Sequence, residues 1–525
     1  MLTHIHGAKC IGIDAVKVTV EIDIDRGIGI HLVGLADVAV KESLLRTTTA
    51  LEALGFHIPG KKIVINLAPG DLRKNGSGYD LPIAVGIIAA SGQRDLPRAG
   101  HFILMGELGL DGSVRPIPGA LPFAEMARQE GFEGIILPAE SALEAAAFRE
   151  MQVYGVVGLG DVVRILEGRE DCRDLLIWNT PRYKKVHRAR LAAPRREAGV
   201  DFADIIGQEG AKRGVEIAAA GGHNIIMVGA PGAGKSSLAK ALAGILPPMS
   251  REEALVTSKI YSVAGKGSPQ DGLICLRPFR APHYSASMAA LVGGGAGDNI
   301  QPGEVSLAHG GVLFLDEVGQ MPKSVLEALR GPIEDRMVSI SRLKSKVEFP
   351  ASFMLVTASN PCPCGYYGEG DRCTCTPTQR QSYLSKLSGP IMDRIDLQVY
   401  VSGIPASVLV GAEEKRAERE TSARVAARVM KARALQERRF QGLGIFTNAE
   451  MGARELRSFC PLSAPCKELL TRIIDRLGLS ARAYTRIIKI ARTIADLAGS
   501  PDILPEHVSE AASYRFLDRR HVFDL

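Results

Sequence analysis

The plainest chemistry in the chain lies in GAPGAGKS, Gly229 to Ser236, whose spacing is that of a phosphate-binding loop. Gly229, Gly232 and Gly234 allow the backbone N–H groups to close around an anion, and the helix that follows adds its positive N-terminal end. Lys235 is expected to reach the β and γ phosphates of a nucleotide and Ser236 a magnesium ion, with Ser237 beside them at the helix start. The context agrees with the motif: HNIIMVG before it reads as a buried strand, and SSLAKALAGIL after it as an amphipathic helix.

Two further strands end in polar groups that such a site needs. GGVLFLDE runs apolar up to Asp316 and Glu317. Asp316 would hold magnesium and Glu317 would polarise the attacking water. FMLVTASN ends at Asn360, suited to holding the same water. Phosphoryl transfer also gains from a cation set against the developing charge, often lent by a neighbouring subunit, and GPIMDRID offers Arg394. An internal ion pair of Arg394 with Asp393 or Asp396 is the plainer alternative. In LSARAYTRIIKIARTIADL the apolar spacing is helical and Ser480 is an expected N-cap, so Arg482 falls in the first turn, from which it could swing onto the γ phosphate. Arg486, one turn on, is the substitute.

NPCPCGYYGEGDRCTC supplies Cys362, Cys364, Cys373 and Cys375 as two close pairs. Four thiolates so spaced can close tetrahedrally on structural zinc, which leaves no open position for catalysis; an iron–sulfur cluster or free thiols are the alternatives. Cys460 and Cys466 carry no comparable signal. RMVSISRLKSKVEFP alternates as a β-hairpin with Arg342, Lys344 and Lys346 near its tip. Those cations suit nucleic-acid phosphates, or else form an ordinary solvated turn.

The elements that must hold these groups read as four stretches. Residues 1–170 alternate strands, such as AVKVTVEIDI and KKIVINLAP, with helices, such as VKESLLRTTTALEALGF and GALPFAEMARQEGF. Residues 171–200 carry prolines, little periodicity and the cations Arg182, Lys184, Lys185, Arg188, Arg190, Arg195 and Arg196, and read as a basic linker. Residues 201–405 alternate strand and helix as a parallel sheet does, and from 406 onward the strands disappear, beginning with a long charged helix, AEEKRAERETSARVAARVMKARALQERRF.

The 525 residues, 46% apolar and 23% charged, suit a soluble protein of several domains. No run is long and apolar enough to span a membrane, and the first residues lack the form of a signal peptide, so a cytoplasmic location is expected. Nine cysteines, five of them scattered, suit a reducing compartment. The net charge of +6 falls within residues 411–525, which favours a polyanionic partner.

GAPGAGKS, RPFRAPHYSASMAALVGGG from Arg277, GEVSLAHGGVLFLDE, NPCPCGYYG and SGPIMDRIDL together resemble the ComM/YifB family of magnesium-chelatase-like AAA+ ATPases, over nearly the whole chain. The resemblance implies an α/β AAA+ core with a parallel sheet, a helix-2 insert and an all-α C-terminal lid. It also implies a hexameric ring using ATP and Mg2+, with Asn360 as a sensor, Arg394 acting in trans and Arg482 as lid sensor. The partner would be single-stranded or branched DNA, and the activity a helicase that drives branch migration in recombination or natural transformation.

KNGSGYDLPIAVGIIAASG and MGELGLDGSVRPIPGALPFAEMA resemble a Lon-protease-type (ribosomal S5 domain 2-like) α+β domain. There the nucleophile position falls at Gly78 and the lysine position near Leu121, with Ser77 one residue off, so proteolysis is not expected. The rivals are a metal-insertion motor of the magnesium-chelatase kind, which would need neither this domain nor the cysteines, and a chaperone-like remodeller of proteins.

Overall fold

The computed structural model describes residues 2–192, 199–267, 272–295, 300–341, 346–368, 372–387, 391–404 and 419–518. In the N-terminal part, strands β1 (Thr3–Ile11), β2 (Asp14–Asp25), β3 (Gly29–Val33), β4 (Lys62–Ala68), β5 (Phe102–Leu104), β6 (Gly134–Pro138) and β7 (Gln152–Val156) form a mixed sheet in the order β3-β4-β2-β1-β5-β6-β7. Period-two alternation buries Val18, Val20 and Ile22 of β2 and Ile63, Ile65 and Leu67 of β4 on one face. Helices α1 (Val38–Ala53), α2 (Asp80–Ala90) and α3 (Ala120–Gln129) share that core. α2 is apolar on all sides because it is enclosed on all sides. Its one carboxylate, Asp80, is held by Arg46 at 2.9 Å.

The segment read as a linker is more ordered than its composition suggested. Short 3-10 turns cover Glu170–Leu175 and Ile177–Asn179, and helix α4 spans Pro181–Ala192. Thr180 caps it by accepting from the Tyr183 N–H at 3.3 Å, and Pro181 stands at the first helical position, where its missing N–H costs nothing. A proline taken for a breaker is here a helix start. Arg195 and Arg196 lie outside the described residues.

The second sheet is wholly parallel. Its elements are α5 (Glu209–Gly221), β8 (Ile225–Gly229), α6 (Lys235–Ile245), α7 (Arg251–Val263), β9 (Phe279–Arg280), β10 (Val312–Leu315), α8 (Arg330–Asp335), the antiparallel hairpin β11 (Met337–Ser341) and β12 (Lys346–Pro350), β13 (Met354–Ser359) and β14 (Leu397–Val401). The strand order is β9-β10-β13-β8-β14. Ile226, Val228, Leu313, Leu315 and Leu355 face a cluster that includes Phe349 and Val338 of the hairpin.

The opposite face, with Ile225, Met227 and Val356, is continuous with the C-terminal helices α9 (Ser422–Arg439), α10 (Ala453–Phe459), α11 (Ala464–Leu477), α12 (Ala481–Ala498) and α13 (Pro505–Ser513). The helix expected from Ala412 begins at Ser422; residues 405–418 lie outside the described ones. Among the described residues no helix is long and apolar enough to cross a membrane.

α7 joins the two sheets. The buried Lys259 ammonium reaches Asp14 of β2 at 2.5 Å and Glu125 of α3 at 2.6 Å. One turn on, Ser262 pairs with Glu144 at 2.5 Å, and its carbonyl accepts from the Gly119 N–H at 3.0 Å. Removing the cation leaves Glu125 half-buried and unpaired, while Asp14 stays exposed to water. Lys259→Ala is therefore expected to cost about 2 kcal/mol, below the range for a fully buried pair. Urea unfolding measures it, and a loss under about 0.5 kcal/mol would show that this contact does not hold the two parts together.

Candidate nucleotide-binding site

Parallel strand direction collects the phosphate-loop groups at one edge of the second sheet. β8 ends at Gly229, where a Cβ would lie 2.1 Å from the Val401 carbonyl oxygen of β14, so close strand packing alone demands glycine there. Gly232 and Gly234 have φ of +78° and +94°, a left-handed backbone that leads into α6 at Lys235.

The Lys235 ammonium is bonded to the carbonyls of Gly229 at 2.5 Å and Ala230 at 2.9 Å, and to Asn360 Oδ1 at 3.1 Å. Burial lowers its pKa, against the raising influence of Asp316 and Glu317. Ser236 Oγ donates to Asp316 Oδ2 at 3.0 Å, and Ser237 lies half-buried beside it on α6. Lys235, Ser236, Asp316, Glu317 and Asn360 thus converge from the ends of two adjacent strands, β10 and β13, and from the start of α6.

Glu317 has φ of +50°, a strained value for a residue with a side chain. Backbone strain of this kind costs on the order of 1 kcal/mol or more and persists where surrounding structure imposes it. The Glu317 N–H donates to Asp316 Oδ1 at 2.9 Å, which helps hold the turn. Tyr383 was missed in the sequence. Its hydroxyl lies 3.3 Å from Ser359 Oγ, next to Asn360, and burial raises its pKa. QSYLSK carries no local signal of that placement.

The four cysteines come together as the spacing predicts. Cys362 Sγ lies 3.3 Å from Cys364 Sγ and 3.8 Å from Cys373 Sγ, and all four sulfurs fall within 4.8 Å of one another. Zinc–sulfur bonds of about 2.3 Å in a tetrahedron set sulfurs about 3.8 Å apart, so the four-thiol cluster is compatible with zinc. Backbone N–H groups of Tyr366 and Thr374 pull the Cys364 thiol down to about 6, whereas burial pushes Cys362 up to about 12. This loop lies against the phosphate loop. A Cβ on Gly365 would meet Pro231 at 2.8 Å.

Arg394 and Arg482 lie elsewhere. β14 pairs in parallel with β8, Ile225 opposite Leu397 and Gly229 opposite Val401, so Arg394 precedes β14 at the edge opposite the phosphate loop. The strand alone separates the two edges by about 13 Å. Arg394 is held by Glu334 of α8, not by Asp393 or Asp396. Arg482 pairs with Asp393, at the same edge, and Arg486 with Asp396 at 3.3 Å. The expectation that Arg482 swings onto a phosphate of its own loop therefore meets a distance set by strand direction. Ser480 caps α12 as expected, accepting from the Ala483 N–H at 3.3 Å. Asn224, at the start of β8, ties the Arg394 loop to the sheet: its amide donates to the Arg394 carbonyl at 3.0 Å and its oxygen accepts from the Leu355 N–H at 2.8 Å.

The basic hairpin forms, but Arg342 and Lys344 lie outside the described residues. Lys346, at the start of β12, pairs with Glu348 at 2.8 Å. In the N-terminal part, Ser77 Oγ is bonded to the Glu107 carboxylate, and a side chain at Gly78 would meet Met105 at 2.9 Å. Leu121 is buried in α3.

Comparison with known proteins covers the chain end to end. A family model described as magnesium chelatase, subunit ChlI, matches residues 201–409, one described as subunit ChlI of Mg-chelatase matches 20–141, and one for the ChlI C-terminal part matches 419–515. The YifB proteins of Salmonella typhimurium and Escherichia coli K12 are each 41% identical over 519 residues, 99% of this chain and 98% of theirs. Competence protein ComM of Haemophilus influenzae is 40% identical over 523 residues, again 99% of this chain and 98% of its own. With the phosphate loop, Asp316 and Asn360 meeting at one edge of a parallel sheet, the chain belongs to the ComM/YifB family of magnesium-chelatase-like AAA+ ATPases.

Proposed function

We propose that the chain is an ATP-hydrolysing DNA motor that works as a ring, a hexamer in this family's manner, in the cytoplasm. It drives branch migration during recombination or natural transformation. Family membership suggests ATPase activity with ATP and Mg2+. The observation that carries the ring is strand polarity: the phosphate loop and the Arg394–Arg482 edge lie on opposite edges of one sheet. A second copy must bring the two halves together. The DNA substrate is supported by full-length likeness to a competence protein.

Bound ATP with Mg2+ supplies the reacting phosphoryl group and its charge neutralisation. The chain's own residues do the rest. Lys235 exchanges the Gly229 and Ala230 carbonyls for phosphate oxygens, a change of partner favoured by the stronger charge of the anion. Ser236 and Asp316, already paired, would hold the magnesium. Glu317 polarises the water and Asn360 orients it. Arg394 and Arg482, lent together by the neighbour, set positive charge against the transferred group. The four cysteines would hold zinc, and the loop they form lies against Pro231 beside Asn360. Arg342, Lys344 and Lys346 contact DNA phosphates, and the N-terminal part is a noncatalytic Lon-like domain that shapes the ring.

A chelatase-type motor is the second reading, favoured by the magnesium-chelatase description that all three matching family models carry. The N-terminal part does not separate the readings, since its match carries the chelatase description too. Likeness to a competence protein along the whole chain and the cysteine cluster favour DNA.

Three outcomes are expected. Purified protein hydrolyses ATP faster with single-stranded or branched DNA and displaces strands from a branched substrate; absence of DNA binding at low salt would refute the motor. Lys235→Ala and Arg394→Ala each lower hydrolysis at least about a hundredfold. Mixing the two inactive proteins restores part of it, because a Lys235→Ala subunit still lends Arg394 to an intact phosphate loop. Assembled mixtures with no recovery would refute action in trans. Metal analysis finds about one zinc per chain, lost in Cys373→Ser with Cys375→Ser, and the variant melts lower; reduced protein free of zinc would end that assignment.

A further inference from the structure

Helix α4 does not lie free in solvent. It packs through Tyr183 against the core of the N-terminal part, and with the start of α7 it lines a groove of about 440 Å³ to which Val186 also contributes. The groove is also lined by Arg149, His187, Arg251 and Leu273. Its polar side chains are cationic or aromatic except for one acid, Glu150. Arg149 donates to the Tyr183 hydroxyl at 3.1 Å, and Arg251 reaches the Ala147 carbonyl at 3.4 Å. The Tyr183 and His187 rings stack with centroids 5.5 Å apart and planes 8° from parallel. Glu150 is engaged by Arg128 at 3.5 Å, and Glu140, outside the groove, by Arg182 at 3.1 Å. Lys184, Lys185 and Arg188 are exposed along the helix.

We propose that this groove between α4 and the start of α7 binds a single-stranded polynucleotide, the phosphates held by Arg149 and Arg251 and a base stacked on the Tyr183–His187 pair. Paired cations with an aromatic stack are the two ingredients of sequence-tolerant strand binding. A duplex keeps its base faces inside its own stack, so the aromatic pair selects an unpaired strand. Lys184, Lys185 and Arg188 extend the positive track along the helix. The site is separate from the hairpin of β11 and β12 and from the nucleotide loop, and gives a DNA motor a second grip on a displaced strand.

The chain holds a single tryptophan, and Trp178 sits beneath the groove, its indole N–H on the carbonyl of Ala146, which lines it, at 3.2 Å. Trp178 emission is therefore a local reporter. Titration of the full chain with unlabelled oligothymidylate is expected to change that emission in step with the anisotropy rise of a labelled oligonucleotide. Arg149→Ala with Arg251→Ala should weaken binding about tenfold and make the salt dependence about 1.4 log units per log unit shallower, as loss of two phosphate contacts requires. Lys184→Ala with Lys185→Ala, on the exposed face, tests the same track without touching the packed side. Arg149→Lys with Arg251→Lys should keep most of the affinity.

Oligothymidylate that saturates the protein without moving Trp178, or charge variants that bind within twofold of wild type, would overturn the groove while leaving the DNA motor standing. A response to oligouridylate and none to oligothymidylate would uphold the groove as an RNA site and count against the DNA motor.

Discussion

Because β8, β10, β13 and β14 all run the same way, every residue just past a strand end lies at one edge of the sheet and every residue just before a strand start lies at the other. Lys235, Asp316, Glu317 and Asn360 follow strand ends; Asn224, Arg394 and Asp396 precede strand starts. Hydrogen bonding along the ladder fixes this separation, since reversing one strand would break its pairing with both neighbours. The side chains are thereby divided, with Lys235, Ser236, Asp316 and Asn360 on one edge and Arg394 and Arg482 on the other. The proposal of a catalytic unit assembled from two copies rests on that division.

Each edge is braced by different physics. At the phosphate edge the cysteine loop lies on Pro231, and Asn360 binds Lys235 directly, so the order of that loop reaches the lysine through two short contacts. At the opposite edge the bracing is ionic and buried. Burial would raise the Asp396 pKa, but bonding to His223 and the charge of Arg486 draw it below the usual carboxylate range. His223 in turn contacts Thr493 of α12 at 2.8 Å. The C-terminal helices are thus tied to the strand starts beside Arg394, and they share one apolar core with the sheet.

Much of this was legible from residues alone, for a physical reason that differs by feature. GAPGAGKS and its flanking strand and helix form one local unit, so spacing was sufficient. The strands of the N-terminal sheet bury one face, and β2 and β4 show it as clean alternation. The four cysteines lie within one short segment, so their convergence needed no long-range contact. Helix α4 was misread because prolines and a run of cations mask a helix whose N-terminus Pro181 actually favours. Tyr383 and Asn224 carried no signal, since each acts through a partner distant in sequence.

The sequence by itself determined which groups could meet a nucleotide and which could hold a metal, because those motifs are local and their chemistry travels with their spacing. Only the tertiary structure decided which of them share an edge. Arg394 and Arg482, far apart along the chain, share one edge, Arg482 paired with Asp393 and Arg394 with Glu334, and both stand apart from Lys235. That outcome depends on strand order and direction, which are set by pairing between distant segments, β8 with β13 and β14 more than a hundred residues on, and are written in no single stretch of the chain.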